Sequence, residues 1–184
     1  SPMSVADFVM AMIMVFDQGK PESAIYDASA VPALESFQSH FKGTRIVSTD
    51  PLTIEYYSDQ IQLDAEIAAH GGAVYPTWFP TYPFGSGAWH NIALGILAET
   101  NNETTFSSAK ADELGVDWMS YIAGPTVAIL EKYLGQAVEQ SYIPYAPTLG
   151  QYITAEETAA RYANLDDWYG RKGHFWIGTG PYYL

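Results

Sequence analysis

The chain has 184 residues, 48% of them hydrophobic and 16% charged, a balance that fits one globular domain and not a disordered segment. A net charge of −13 with only 8 Lys and Arg residues excludes the basic footprint of a nucleic-acid binder, and an anionic membrane surface would repel it. With no cysteine there can be no disulfide, zinc–thiolate site or thiol nucleophile.

In chain order, Ser4 is placed to cap a helix whose third position is Asp7, near the positive end of the helix dipole. Val5, Phe8, Val9, Met12, Ile13 and Phe16 follow helical spacing, and Met10 with Met14 makes the opposite side apolar too. A helix apolar all round is expected to be buried. The stretch Phe8 to Phe16 falls short of the about 20 residues of a membrane span and has no basic flank, so it is neither span nor signal peptide. Gly19 and Pro21 stop this helix.

Ala30 to Phe41 reads as a second helix, with Pro32 in its first turn and Leu34, Phe37 and Phe41 as its stripe. Gly43–Thr49 and Leu52–Tyr57 read as antiparallel strands joined at Asp50-Pro51, and Ile61, Leu63 and Ala65 continue the alternation toward a third. From Gly71 to Gly87 prolines and aromatics crowd together, which predicts a loop. Ser86 is then a candidate cap for a helix through Trp89 to Ala98, ended by Asn101-Asn102.

Ser107–Leu114 reads as a short helix. Asp117 to Gln140 reads as a longer one, broken or restarted at Pro125, with Val127, Leu130, Leu134 and Val138 along one face. Pro144 and Pro147 mark a loop. Thr154 and Glu157 form a capping-box pattern for a helix to about Tyr169, bracketed by Gly170 and Gly173, and His174–Ile177 reads as a strand. The expected fold class is α+β, helix-rich with a small antiparallel sheet.

Chemistry-bearing patterns are sparse. His40, His70, His90 and His174 show no i, i+3 or i, i+4 pairing of the kind that binds metal on a helix. Asp112-Glu113 and Asp166-Asp167 are adjacent carboxylates, whereas glycoside hydrolysis needs two facing each other about 5 to 9 Å apart. No Gly-x-Ser-x-Gly elbow is present, and Gly178-Thr179-Gly180 lacks the third glycine of a dinucleotide fingerprint. No catalytic residue, metal or cofactor is therefore expected. Asn102-Glu103-Thr104 fits a glycosylation sequon.

The segment His174-Phe175-Trp176-Ile177-Gly178-Thr179-Gly180-Pro181-Tyr182-Tyr183-Leu184 resembles the Gly-Thr-Gly-Pro-Tyr motif of family 5 extracellular solute-binding proteins, the peptide-type receptors of ABC importers. Thr154-Ala155-Glu156-Glu157 with Ala160-Arg161-Tyr162 and Trp168-Tyr169 looks like the helix before that motif. Met3–Val9 resembles the family's helix opening, and Ile46–Tyr56 looks like its Val-x-x-x-Asp-x-x-Thr-Val-x-Phe hairpin. These landmarks come in family order. The region from about 59 to 152 departs from the usual peptide receptors as an aromatic and helical insertion.

The resemblance implies a single unit over 1–184, a fragment of the first lobe of a two-lobed, type II periplasmic binding protein-like fold. It implies an extracytoplasmic location, with a signal and a lipid anchor upstream of Ser1. Implied partners are a peptide or other small solute and ABC permease subunits, with no covalent chemistry. Gly178, Thr179, Gly180, Pro181 and Tyr182 would be structural motif residues. Within the aromatic loop, Tyr75, Trp78 and Tyr82 are the candidate ligand contacts, because flat rings on a loop can stack on a peptide or sugar. Two other readings stay open: a free-standing interaction module docking through that loop, and a carbohydrate hydrolase suggested by acidic, aromatic composition.

Overall fold

The first helix, α1 (Val5–Gln18), shows how the apolar pattern is used. The side opposite the Phe8–Phe16 stripe is its innermost: Ala6, Met10 and Met14 are fully buried in the main core. Phe8 is half-buried, and Met12, Val15 and Phe16 pack instead on a smaller cluster around Leu34 and Phe37. A helix between two apolar bodies needs no polar face, which is why methionine fills positions usually given to charge. In this computed structural model the described residues are 2–61, 63–64, 66, 81–82 and 85–177.

A 3₁₀ turn (Ala28–Ala30) leads into α2 (Val31–His40), with Asp27 accepting from the Ser29 amide at its start. The helix ends one residue before the sequence reading, and Phe41 is extended (φ −69°, ψ 130°). Its ring nevertheless stays in the expected apolar cluster, stacked on Phe37 at 4.8 Å between centroids. Packing kept the contact while the backbone changed class.

Strand β1 (Phe41–Thr49) pairs antiparallel with β2 (Leu52–Ser58). Nine residues oppose seven, and bulges at Lys42 and Val47 absorb the difference. Arg45 faces Glu55 and Ile46 faces Ile54, so charged and apolar pairs occupy opposite faces of the hairpin. Among the described residues the alternation is not continued as a strand: Ile61 and Leu63 lie outside any strand and are fully exposed. Alternation alone could not supply the partner edge or the core face that a strand requires. Ala65 lies outside the described residues.

Two short strands, β3 (Thr81–Tyr82) and β4 (Gly85–Ser86), pair antiparallel where the sequence predicts only loop. Ser86 is thereby taken into a strand, and Ala88 occupies the cap position of α3 (Trp89–Thr100). Every residue of α3 from Trp89 to Glu99 is buried. Gly95 lets it approach its neighbours closely: a Cβ there would fall 2.4 Å from the Tyr121 hydroxyl and 2.6 Å from Phe106 Cζ.

Beyond α3, β5 (Thr104–Thr105) pairs in parallel with β6 (Asp117–Trp118), flanking α4 (Ser108–Leu114). The predicted helix over 117–125 does not form. Pro125 is the cap of α5 (Thr126–Gln140), and the preceding residues form β6 and a loop. On α5, Val127, Leu130 and Leu134 are buried as expected, but Val138 is exposed and Ala137 and Tyr133 take the inner positions. Position 138 points about 80° around the helix axis from Leu130, which sits at the centre of the buried face, so Val138 falls at its edge.

Ala146–Leu149 (α6) puts one helical turn inside the predicted loop. The last helix, α7 (Ala155–Lys172), begins where Thr154 Oγ1 accepts from the Glu157 amide. It runs three residues past Tyr169, so Gly170 lies within it and Gly173 ends it in the left-handed region (φ 73°). Among the described residues His174–Ile177 forms no strand, and the Phe175 N–H donates to the Tyr121 carbonyl (2.7 Å). The main core joins α1, α3, α5 and α7 through Met10, Trp89, Ile92, Leu130, Tyr133 and Tyr162. The result is mixed helix with a small antiparallel sheet, as the sequence predicts.

Candidate functional site

The aromatic segment is held at its described end. Strand β3 lies against α1, and two residues after β4 the chain enters α3. Tyr82 sits in β3 opposite Gly85. Tyr75 and Trp78 lie outside the described residues, as do Gly178, Thr179, Gly180, Pro181 and Tyr182.

At the start of α3 lies a buried polar cluster that the sequence did not announce. Asp7 accepts from the backbone N–H of Trp89 (2.9 Å) and from that of Ser4 (2.8 Å), so one carboxylate serves the starts of two helices. Arg161 of α7 grips it with both terminal nitrogens, Nη1 to Oδ1 at 3.2 Å and Nη2 to Oδ2 at 3.1 Å. Nη2 also donates to the Pro2 carbonyl (2.9 Å) and the Ser4 hydroxyl (3.0 Å). Both charged side chains are almost wholly buried, which is tolerable only because they are paired and bonded. The sequence carried half of this: Asp7 reads as a dipole partner, but nothing identifies Arg161 as its mate 154 residues away.

His90 completes the cluster. Its Nδ1 lies 3.4 Å from Arg161 Nη1, and because a guanidinium only donates, Nδ1 is the acceptor and the ring proton sits on Nε2. Burial first, then the Arg161 charge, depresses its pKa to about 3, so the ring is neutral near pH 7. Trp89 and Tyr162 meet edge-to-face at 5.9 Å beside it, and the Tyr162 hydroxyl donates to the Tyr142 carbonyl. Between the unfolded pKa of 6.5 and the folded value of about 3, the unfolded chain binds the extra proton. Stability is therefore expected to fall as pH drops below 6.5. Urea unfolding at pH 6.5 and 5.0 checks this, and His90→Gln should flatten the interval.

A second buried carboxylate, Glu99, lies at the other end of α3. It accepts from Lys110 Nζ (2.6 Å) and from the Phe106 backbone N–H (2.7 Å). Burial nevertheless holds its pKa above the ordinary carboxylate range. Lys110 arrives there because Ser107 caps α4 (3.2 Å to the Lys110 N–H).

The adjacent acid pairs are exposed, and Asp167 forms an i, i+4 ion pair with Arg171. Both pairs lie on solvated helix surface. Among the described residues no group of three or more His, Asp or Glu side chains is placed to hold a metal ion. His40 is half-exposed and pairs with Asp59. His174 is buried, and its Nδ1 accepts from the Trp176 N–H (3.1 Å).

The architecture defines an α+β protein in which both buried acid–base pairs brace the fully buried helix α3. Compared with known protein families, curated proteins and solved structures, the chain matches none. Among the described residues no helix is long and apolar enough to cross a membrane.

Proposed function

We propose that this chain is part of the first lobe of an extracytoplasmic solute-binding receptor, of type II periplasmic binding-protein architecture. It captures peptides or a related small solute and delivers it to an ABC permease. Its work is binding and lobe closure, without covalent chemistry. The observation that carries the reading is the Asp7–Arg161 pair. It joins the helix opening and the late helix, two of the segments that carry the resemblance, in one buried contact. Another such segment, Ile46–Tyr56, lies within the β1–β2 hairpin. The departing region, about 59 to 152, contributes α3 and α5 to the same core.

The aromatic residues of that region are the proposed ligand contacts. Binding to the folded state raises stability by about 2.7 kcal/mol at ligand 100-fold above Kd. A peptide pool is therefore expected to raise the Tm of the intact receptor, and Trp78→Ala to weaken affinity at least tenfold by calorimetry. Unchanged affinity would remove Trp78 from the site. No thermal response to peptides or other small solutes would remove the receptor reading.

One feature favours an interaction module as the second reading. Trp118 is 60% exposed while its Nε1–H is fixed to the Phe106 carbonyl at 3.0 Å. A large ring held still in water suits a protein contact. Concentration-dependent self-association lost in Trp118→Ala would favour this reading over solute capture.

A further inference from the structure

The sequon Asn102-Glu103-Thr104 falls on the turn between α3 and β5, and its residues are positioned very differently. Asn102 is exposed, in the left-handed region at φ 55°, and its backbone N–H donates to the Glu99 carbonyl (2.9 Å). The neighbouring Asn101 spends its side-chain amide on the Leu97 carbonyl (2.8 Å), whereas the Asn102 amide makes no hydrogen bond among the described residues. Glu103 pins the turn from the far side, bonding Lys132 and the Tyr133 hydroxyl. Thr104 is fully buried, and its hydroxyl donates to the Asp117 carbonyl (2.7 Å) across the β5–β6 pair.

We propose that Asn102 is an N-glycosylation site, modified before β5 pairs with β6. The inference rests on the extracytoplasmic location proposed above. The donor class is an oligosaccharide carried on a polyprenyl phosphate or diphosphate. A bond forms between Asn102 Nδ2 and the anomeric carbon, the anomeric carbon–oxygen bond to phosphate breaks, the lipid phosphate leaves, and Nδ2 gives up one proton to base. A transferase recognises the sequon hydroxyl as well as the amide. In the folded chain that hydroxyl is buried and committed, so the sequon is readable only while the chain is unfolded. Once folded, the exposed turn carries the glycan into solvent without disturbing the core.

The test uses the protein recovered from its native cells. Protease accessibility on intact cells reports its location, and mass spectrometry reads the peptide that contains Asn102. The expected result is an exported protein whose Asn102 peptide carries a glycan mass that is absent from Asn102→Asp. An exported protein with Asn102 unmodified makes the residue a turn former only; it overturns this proposal and leaves the receptor reading standing. A cytoplasmic protein overturns both. The timing is tested in vitro with an oligosaccharyltransferase and its lipid-linked donor. Urea-unfolded chain should be modified at least tenfold faster than folded chain, and equal rates would overturn modification before folding.

Discussion

Arg161→Met is expected to cost about 3–5 kcal/mol of folding stability, the range for removing one partner of a buried ion pair. The substitution removes the partner of a buried carboxylate without changing the backbone. Asp7 would keep the Trp89 and Ser4 amides but lose both guanidinium bonds. A carboxylate so placed has no water to turn to. Arg161 also holds the Pro2 carbonyl and the Ser4 hydroxyl, so the entry to α1 should loosen together with the start of α3. Adding Asp7→Asn removes the stranded charge while an amide oxygen can still accept from Trp89. The double variant should therefore be more stable than Arg161→Met alone, the reverse of additive damage. Chemical denaturation of the three proteins decides the point. If Arg161→Met stays within 1 kcal/mol of the parent chain, the pair is not the brace described here.

Lys110→Met should cost about 3 kcal/mol at pH 7, the lower end of the range for a broken buried pair because the lysine end has some access to water. The loss depends on pH in a direction the geometry dictates. Burial already holds the Glu99 carboxyl above its ordinary range, and Lys110 with the Phe106 amide works against that. Removing the ammonium lets burial push it higher. The folded variant then keeps the Glu99 proton at pH values where the unfolded chain, with a carboxyl near 4.5, has released it. The folded state binds more protons, so stability falls as pH rises above 4.5 and is recovered below it. Glu99→Gln with Lys110→Met should show no such slope. A deficit in Lys110→Met that is constant from pH 4 to 7 would mean that Lys110 acts through packing of its stem and not through charge.

Both predictions concern residues whose roles a linear reading could not assign. Asp7 reads as a helix-dipole partner near a helix start, and Glu99 falls just past the predicted helix end at Ala98. Their importance comes from what crosses them: α7 for the first, α4 for the second. The exposed pairs Asp112-Glu113 and Asp166-Asp167 look more conspicuous in the sequence, yet lie in water. Clustering along the chain reports local charge, whereas burial depends on packing between segments far apart.

Local rules sufficed where local forces decide. The α1 start at Ser4, the hairpin turn at Asp50-Pro51, the Thr154 cap and the Gly173 stop are set by hydrogen bonds and backbone angles within a few residues. Composition likewise excluded cysteine chemistry and a basic nucleic-acid surface without reference to any fold. The candidate ligand residues Tyr75, Trp78 and Tyr82 also came from composition, through the density of rings and prolines on one segment.

Only the tertiary structure decided which side of α1 faces the main core, because both sides are apolar and the choice depends on what packs there. It also decided that the stretch before Pro125 is strand and loop, since β6 gains its hydrogen bonds from β5, a distant partner that no helical periodicity can reveal. Ile61 and Leu63 alternate like a strand but find no edge to pair with. Asp7, Arg161 and His90 acquire their joint meaning in the same way. Hydrophobic spacing and caps act over one or two turns and are written in the sequence, whereas a buried charge is defined by partners that only folding brings within 3 to 4 Å.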